Sequence, residues 1–183
     1  MPPKCKFTRE EIIQAALDIT RKEGINAVTA RAVGTKLNSS SKVIFSLFQN
    51  MEELQEEIMR AANESYDNFL KEDMGKGEYP PYKASGMAYI RFAKEERELF
   101  KLLFMRDRSD EKKSDNSDEM QMFEQIVQKN TGLSEKEAHM FHLEMWVYVH
   151  GIATMIATGY LEWDWEVISR MLTDVYEGMK RRY

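Results

Sequence analysis

The sequence predicts an all-α protein, a head of three compact helices that delivers the chain into a longer helical body. Helix-start signals recur along the chain, and strand signals are few. Apolar residues return at 3.6-residue spacing in segment after segment. With 183 residues and 43% hydrophobic content, the chain can bury a real core in one or two domains.

The first start signal is Phe7-Thr8-Arg9-Glu10-Glu11-Ile12. Thr8 is placed to cap, Glu11 to complete a capping box, and Phe7 to staple onto Ile12. Ile12, Ile13, Ala16, Leu17 and Thr20 follow on one face, and Gly24 stops the helix. Two short segments come next, Thr29–Leu37 and Ser41–Phe48, separated by Asn38-Ser39-Ser40. Thr29 reads as an N-cap, with Val28 before it facing Val33. Gly34 is small enough for a close crossing, Asn38 tolerates a left-handed exit, and Ser40 can cap the second segment. So tight a pair is either an ordinary helical hairpin or a helix-turn-helix whose second helix enters the DNA major groove.

Asn50 and Glu53 form another capping box, opening a helix from Met51 to about Lys71. Pro80-Pro81 starts the next, through Met87, Ile90, Phe92 and Ala93. A further segment holds Leu99, Phe100, Leu103, Phe104 and Met105. The charged, Ser-rich run Asp107–Asp118 reads as a connection. Met120–Lys129 is a short amphipathic helix. Gly132 ends it, and the Ser134/Glu137 box opens a helix that is apolar almost all round from Met145 to Leu161. That stretch is too short and too mixed to span a membrane. In the last helix, with Asp164 as cap, Trp165, Ile168, Leu172, Val175 and Met179 form a heptad-like seam. So broad a stripe must be covered by the chain's own core or by a second copy.

The stretch Phe7–Leu54 resembles the DNA-binding domain of tetracycline-repressor (TetR) type regulators. The resemblance rests on Phe7-Thr8-Arg9-Glu10, Ala15-Ala16, Gly24, Thr29, Arg31, Phe48, Asn50 and Glu52-Glu53-Leu54. It implies a head over residues 1–50 and a helical regulatory, ligand-binding and dimerisation domain over 51–183. It implies a DNA-binding transcriptional regulator, a repressor released by a small molecule, that binds a palindromic operator as a homodimer. The candidate DNA contacts are Thr29, Arg31, Ser39, Ser40, Ser41, Lys42, Phe45 and Ser46. Lys42 can reach a guanine edge or a phosphate, and Phe45 a sugar or a thymine methyl. Arg31 matches an arginine that some family members direct at a base. The chain departs from the family pattern at Asn38, usually Gly, and at Phe45-Ser46-Leu47, usually Tyr, a polar residue, and Tyr. Met51 replaces a usual Lys. Fewer phosphate donors mean weaker binding and a salt slope smaller by roughly one unit per lost contact. Phe45, Leu47 and Met51 also favour an alternative, a helical dimeric interaction protein whose DNA-binding head has degenerated.

Residues 1–50 hold eight cations (Lys4, Lys6, Arg9, Arg21, Lys22, Arg31, Lys36, Lys42) against Glu10, Glu11, Asp18 and Glu23, a net of +4. The whole chain carries −5, so the remainder carries −9. A basic head on an acidic body suits a protein with one DNA-facing end. The single Cys5 allows no disulfide framework. No apolar run precedes the first helix, so a cytoplasmic protein is expected.

Thirteen methionines and many aromatics suit an interior that adapts to a small, largely apolar effector. The resemblance makes Phe92, Phe100, Phe104, Met120, Phe123, Phe141, Met145, Trp146 and Tyr148 the candidate lining, although such residues most often form core. It also implies pairing of the last two helices, through His150, Ile152, Met155, Ile168, Leu172, Val175 and Met179. His139 and His142, with Glu135 a turn upstream, lack the order of a zinc-protease motif. No Gly-rich phosphate loop or nucleophile elbow occurs, so neither enzyme, metal nor cofactor is expected.

Overall fold

The computed structural model describes residues 6–109 and 118–183. Lys4, Cys5 and residues 110–117 of the Asp107–Asp118 run lie outside the described residues. The described chain is all-α: α1 (Arg9–Glu23), α2 (Ala30–Lys36), α3 (Met51–Gly75), α4 (Pro81–Glu95), α5 (Arg97–Phe104), α6 (Asp118–Thr131), α7 (Glu135–Ala157) and α8 (Trp165–Arg182). Short 3₁₀ segments occupy Ile25–Ala27 and Ser41–Ser46.

Local chemistry sets most boundaries. Thr8 accepts from the Glu11 amide while Glu11 accepts from the Thr8 amide, so both halves of the capping box are present. Ser134 and Glu137 do the same at α7. At α3, Asn50 accepts from the Glu53 amide, but Glu53 reaches back to the Gln49 amide instead. Four expectations need correction. Helix α3, expected to end at about Lys71, runs on to Gly75. Ser40 and Asp164 occupy cap positions without a side-chain hydrogen bond to the helix they precede. The long seventh helix stops at Ala157, where Thr158 folds its hydroxyl onto the Thr154 carbonyl and Gly159 turns left-handed.

Two compact units result, Met1–Asn68 with Glu96–Arg106, and Phe69–Glu95 with Asp107–Tyr183. In the first, Ile12, Ala16 and Leu17 of α1, Val33 of α2, Ile44, Phe48, and Leu54 and Ile58 of α3 close one core. Helix α5 packs on α1 and adds Leu99, Phe100 and Leu103. Arg21 of α1 pairs with Glu96 at 3.2 Å.

In the second unit α4 and α7 pack most extensively, with α6 on α7 and α8 on both α4 and α7. A Cβ on Gly86 of α4 would lie 3.4 Å from Val149 Cγ2 and 3.5 Å from Leu172 Cδ1, ordinary contact distances that leave room for it. The buried Asp73 carboxylate receives Arg91 at 2.9 and 3.0 Å and Lys76 at 2.6 Å. Burial alone would raise its pKa, but these hydrogen bonds outweigh burial and hold it below the usual carboxylate range.

The seam of α8 covers its own core first. Ile168 and Leu172 are buried within the unit. Val175, Tyr176 and Met179 pack on the cluster of Val127, Ala138, Phe141 and Met145. Val175, Tyr176 and Met179 stay partly exposed on this helix. Among the described residues no helix is long and apolar enough to cross a membrane.

Candidate nucleic-acid interface

The site is built around a turn that only certain residues permit. Thr29 caps α2, its hydroxyl accepting from the Ala32 amide at 3.1 Å. Asn38 then turns left-handed at φ 50°, and the Ser39 amide donates back to the Gly34 carbonyl at 2.8 Å. Gly34 faces the backbone of the next segment. A Cβ there would stand 2.9 Å from Ser40 C and from Ser41 N. The segment entered is a 3₁₀ helix, Ser41–Ser46, shorter and tighter than the expected Ser41–Phe48. Ile44, fully buried, pins it from below.

Its far end is held by Arg9. One guanidinium nitrogen donates to the Leu47 carbonyl at 2.8 Å, and the other to Glu53 at 2.7 Å and Glu57 at 2.8 Å. The guanidinium plane lies 4.2 Å from the Phe48 ring centroid. Hydrogen bonds to Glu57 and Glu53 raise the Arg9 pKa. The Gln49 amide and Arg9 lower that of Glu53. Arg9 is therefore part of the scaffold. Arg21 and Lys36 are likewise committed, to Glu96 and to Asp18. Of the head cations, Lys6, Lys22, Arg31 and Lys42 are exposed with no ion pair among the described residues, and Arg31 and Lys42 are the two that lie in α2 and the 3₁₀ segment.

Thr29, Arg31, Ser40, Lys42, Phe45 and Ser46 are exposed, with Ser39 and Ser41 partly so. All belong to the first unit, within one short stretch of it. The Ser46 hydroxyl donates to the Val43 carbonyl at 2.7 Å. An open groove of about 440 Å³ runs beside α2, lined by Thr29, Arg31, Thr35 and Lys36 together with Ile19, Ala32 and Glu23.

The candidate effector residues are divided between the two units. Phe100 and Phe104 sit in the first unit, where Phe104 meets Tyr66 edge-on at 5.1 Å. Phe92 packs on Phe69 within the second unit. Phe141 and Met145 belong to one buried cluster there, with Tyr176 and Tyr183 against Phe141. Phe123 stacks on His142 beside Tyr82. Met120 and Tyr148 are partly exposed, and Trp146 is 47% exposed.

His139 and His142 turn to different partners. His139 Nδ1 lies 2.7 Å from Glu124, and His142 Nδ1 lies 2.9 Å from the Tyr82 hydroxyl. Burial lowers the His142 pKa, Glu124 opposing and His139 adding to the effect. Burial holds the Tyr82 phenol protonated far above its ordinary range. No group of three metal-ligating side chains occurs among the described residues.

Of the candidate pairing residues, Ile152, Ile168 and Leu172 are interior. His150 is half-buried, its Nδ1 2.8 Å from the Tyr89 hydroxyl and its ring stacked on Trp146. Met155 is 40% exposed, and it aligns with two residues that sequence reasoning passed over, Val147 at 62% and Met140 at 43%. The signal was present. Met140, Val147, Gly151 and Met155 recur at spacings of 7, 4 and 4, on a face about a third of a turn from the buried row Phe141, Met145, Ile152 and Ile156. A Cβ on Gly151 would meet nothing within 4 Å.

Such a chain, with one helical unit exposing a tight pair of segments and a second unit built as a helical bundle, is a two-unit all-α protein. Residues 82–176, just over half of the chain, match the tetracyclin repressor-like C-terminal domain, and the chain belongs to that TetR family. No curated protein matches it.

Proposed function

We propose that this TetR-family regulator is a DNA-binding repressor that holds a palindromic operator as a homodimer and is released by a small, largely apolar effector. The observation that carries the proposal is the exposed segment Ser41–Ser46. It is fixed at one end by the Gly34 crossing and at the other by Arg9, with exposed cations at Arg31 and Lys42 that have no ion pair among the described residues. A rigid segment of this size beside free positive charge suits insertion into a major groove. In this proposal residues 1–50 make the DNA contacts, and residues 51–183 carry regulation and pairing. The exposed row Met140, Val147 and Met155 on α7 supports a second copy as the partner. One small head covers few base pairs, and twofold pairing doubles the contact and specifies a palindrome.

Phe45, 52% exposed where a phosphate donor would strengthen binding, favours a second reading, a dimeric interaction protein with a degenerate head. Selection of bound duplexes from a random pool at low salt separates the two. An enriched palindrome supports the repressor. A folded dimer that enriches nothing, before and after refolding to strip any bound effector, supports the interaction protein.

A further inference from the structure

In a 3₁₀ helix side chains three residues apart eclipse one another, so Ser41–Ser46 carries three straight ridges. Ser41 and Ile44 form the inner one, with Ile44 fully buried. Val43 and Ser46 form a second, where the Ser46 hydroxyl is already donated to the Val43 carbonyl at 2.7 Å. Lys42 and Phe45 form the outward ridge, and both are exposed. The exposed surface of this segment is therefore one ammonium and one phenyl ring, about 6 Å apart along its axis, roughly two base steps, with the Ser46 side chain beside them.

We infer that Phe45 is a specificity residue that contacts the 5-methyl group of a thymine in each half-site, next to the base or phosphate that Lys42 reaches. This inference rests on the DNA-binding proposal above. A phenyl ring neither donates nor accepts the hydrogen bonds that the edges of A, G and C offer. The thymine methyl is the apolar feature of the major-groove floor. Sugars line the groove walls, whereas the Lys42–Phe45 ridge points away from the core that Ile44 anchors, toward the floor. Leaving so large an apolar ring exposed wastes burial energy unless the ligand covers it. Its apolar neighbours Val43 and Leu47 are partly buried, so the exposed part is one ring rather than a broad protein-docking patch.

The test uses the duplex enriched by selection, with each thymine replaced in turn by deoxyuridine. This change removes the methyl and leaves base pairing intact. At one position per half-site the affinity of the intact protein should fall about fourfold, and roughly sixteenfold when both half-sites are changed, as expected for one buried carbon. Phe45→Ala should abolish that discrimination, binding thymine and deoxyuridine duplexes equally while melting like the parent. A flat deoxyuridine scan overturns the inference. If Phe45→Ala nonetheless weakens all duplexes alike, the ring lies on a sugar. Discrimination that survives in Phe45→Ala also overturns it, because another group then reads the methyl. Failure to enrich any duplex refutes the DNA-binding proposal itself and the inference with it, an outcome distinct from tight binding with a flat scan.

Discussion

Gly34→Ala tests the close crossing of α2 and the recognition segment in the most direct way. The added Cβ would lie 2.9 Å from Ser40 C and Ser41 N and 3.1 Å from Ser40 O, all backbone atoms. Ordinary contact needs a separation about 0.5 Å larger, and no side chain can swing aside to provide it. Overpacking of this kind costs about 1–3 kcal/mol. Alanine's better helix propensity offsets about 1 kcal/mol of that, leaving a net loss of up to about 2 kcal/mol. For a unit of this size the melting temperature should fall by up to about 16 °C. The segment is also pushed off its register on DNA, so operator affinity should drop at least about tenfold, the worth of one good base contact. Gly86→Ala is the matched control. Its Cβ meets only side-chain tips at 3.4 and 3.5 Å, so it should be neutral or stabilise by up to about 1 kcal/mol, with operator affinity unchanged. Melting curves and equilibrium binding of both variants decide the matter. If Gly34→Ala melts and binds like the parent, the crossing does not control the reading segment and the reasoning fails.

Four further outcomes follow. Arg9→Ala should weaken operator binding with the salt slope unchanged, because its guanidinium holds Leu47, Glu53 and Glu57 rather than a phosphate. A titration at several salt concentrations that shows a shallower slope would place Arg9 on the DNA instead. Arg31→Ala and Lys42→Ala should each weaken binding, and any of them that touches a phosphate should also reduce the slope by about one. Val147→Asp, on the exposed row of α7, should turn the proposed dimer into a monomer by sedimentation, and an unchanged dimer would move the interface elsewhere. Burial lowers the folded pKa of His142, so between that value and about 6.5 the unfolded chain binds more protons. Its stabilising contribution is thus full above about pH 6.5 and lost as pH falls through that value toward the folded pKa. Denaturation at pH 7.5 and 5.5 should show the loss, and His142→Gln, which can still accept from Tyr82, should reduce it.

What the sequence disclosed was mostly local. Thr8 with Glu11, Ser134 with Glu137, Thr29, Gly24 and Asn38 act within four residues of themselves, so their types and spacing sufficed to place caps and turns. Long-range partners were hidden. Arg9 counted as one of eight head cations, yet its partners lie 38 to 48 residues away and convert it into a clamp. The stripe on α8 was plain, but whether Ile168 and Leu172 face their own core or a twin depends on where α4 and α7 lie. Periodicity cannot report that. The second short segment was recognised while its tighter winding was not, since six residues carry too little pattern to separate 3₁₀ from α. The exposed row on α7 was masked by the opposite problem, a helix so rich in apolar residues that two faces looked like one.

The Arg9 clamp and the Ile44 anchor leave the outward ridge with no part in holding the segment's shape. Lys42 and Phe45 can then be exchanged for other side chains with little effect on folding, as a key may be recut without touching its bow. Under the proposed DNA-binding function, a lineage carrying this head could acquire a new operator through two substitutions, at a structural cost near that of ordinary surface changes, within about 0.5 kcal/mol. Changes at Gly34, Asn38 or Arg9 would instead damage every target at once.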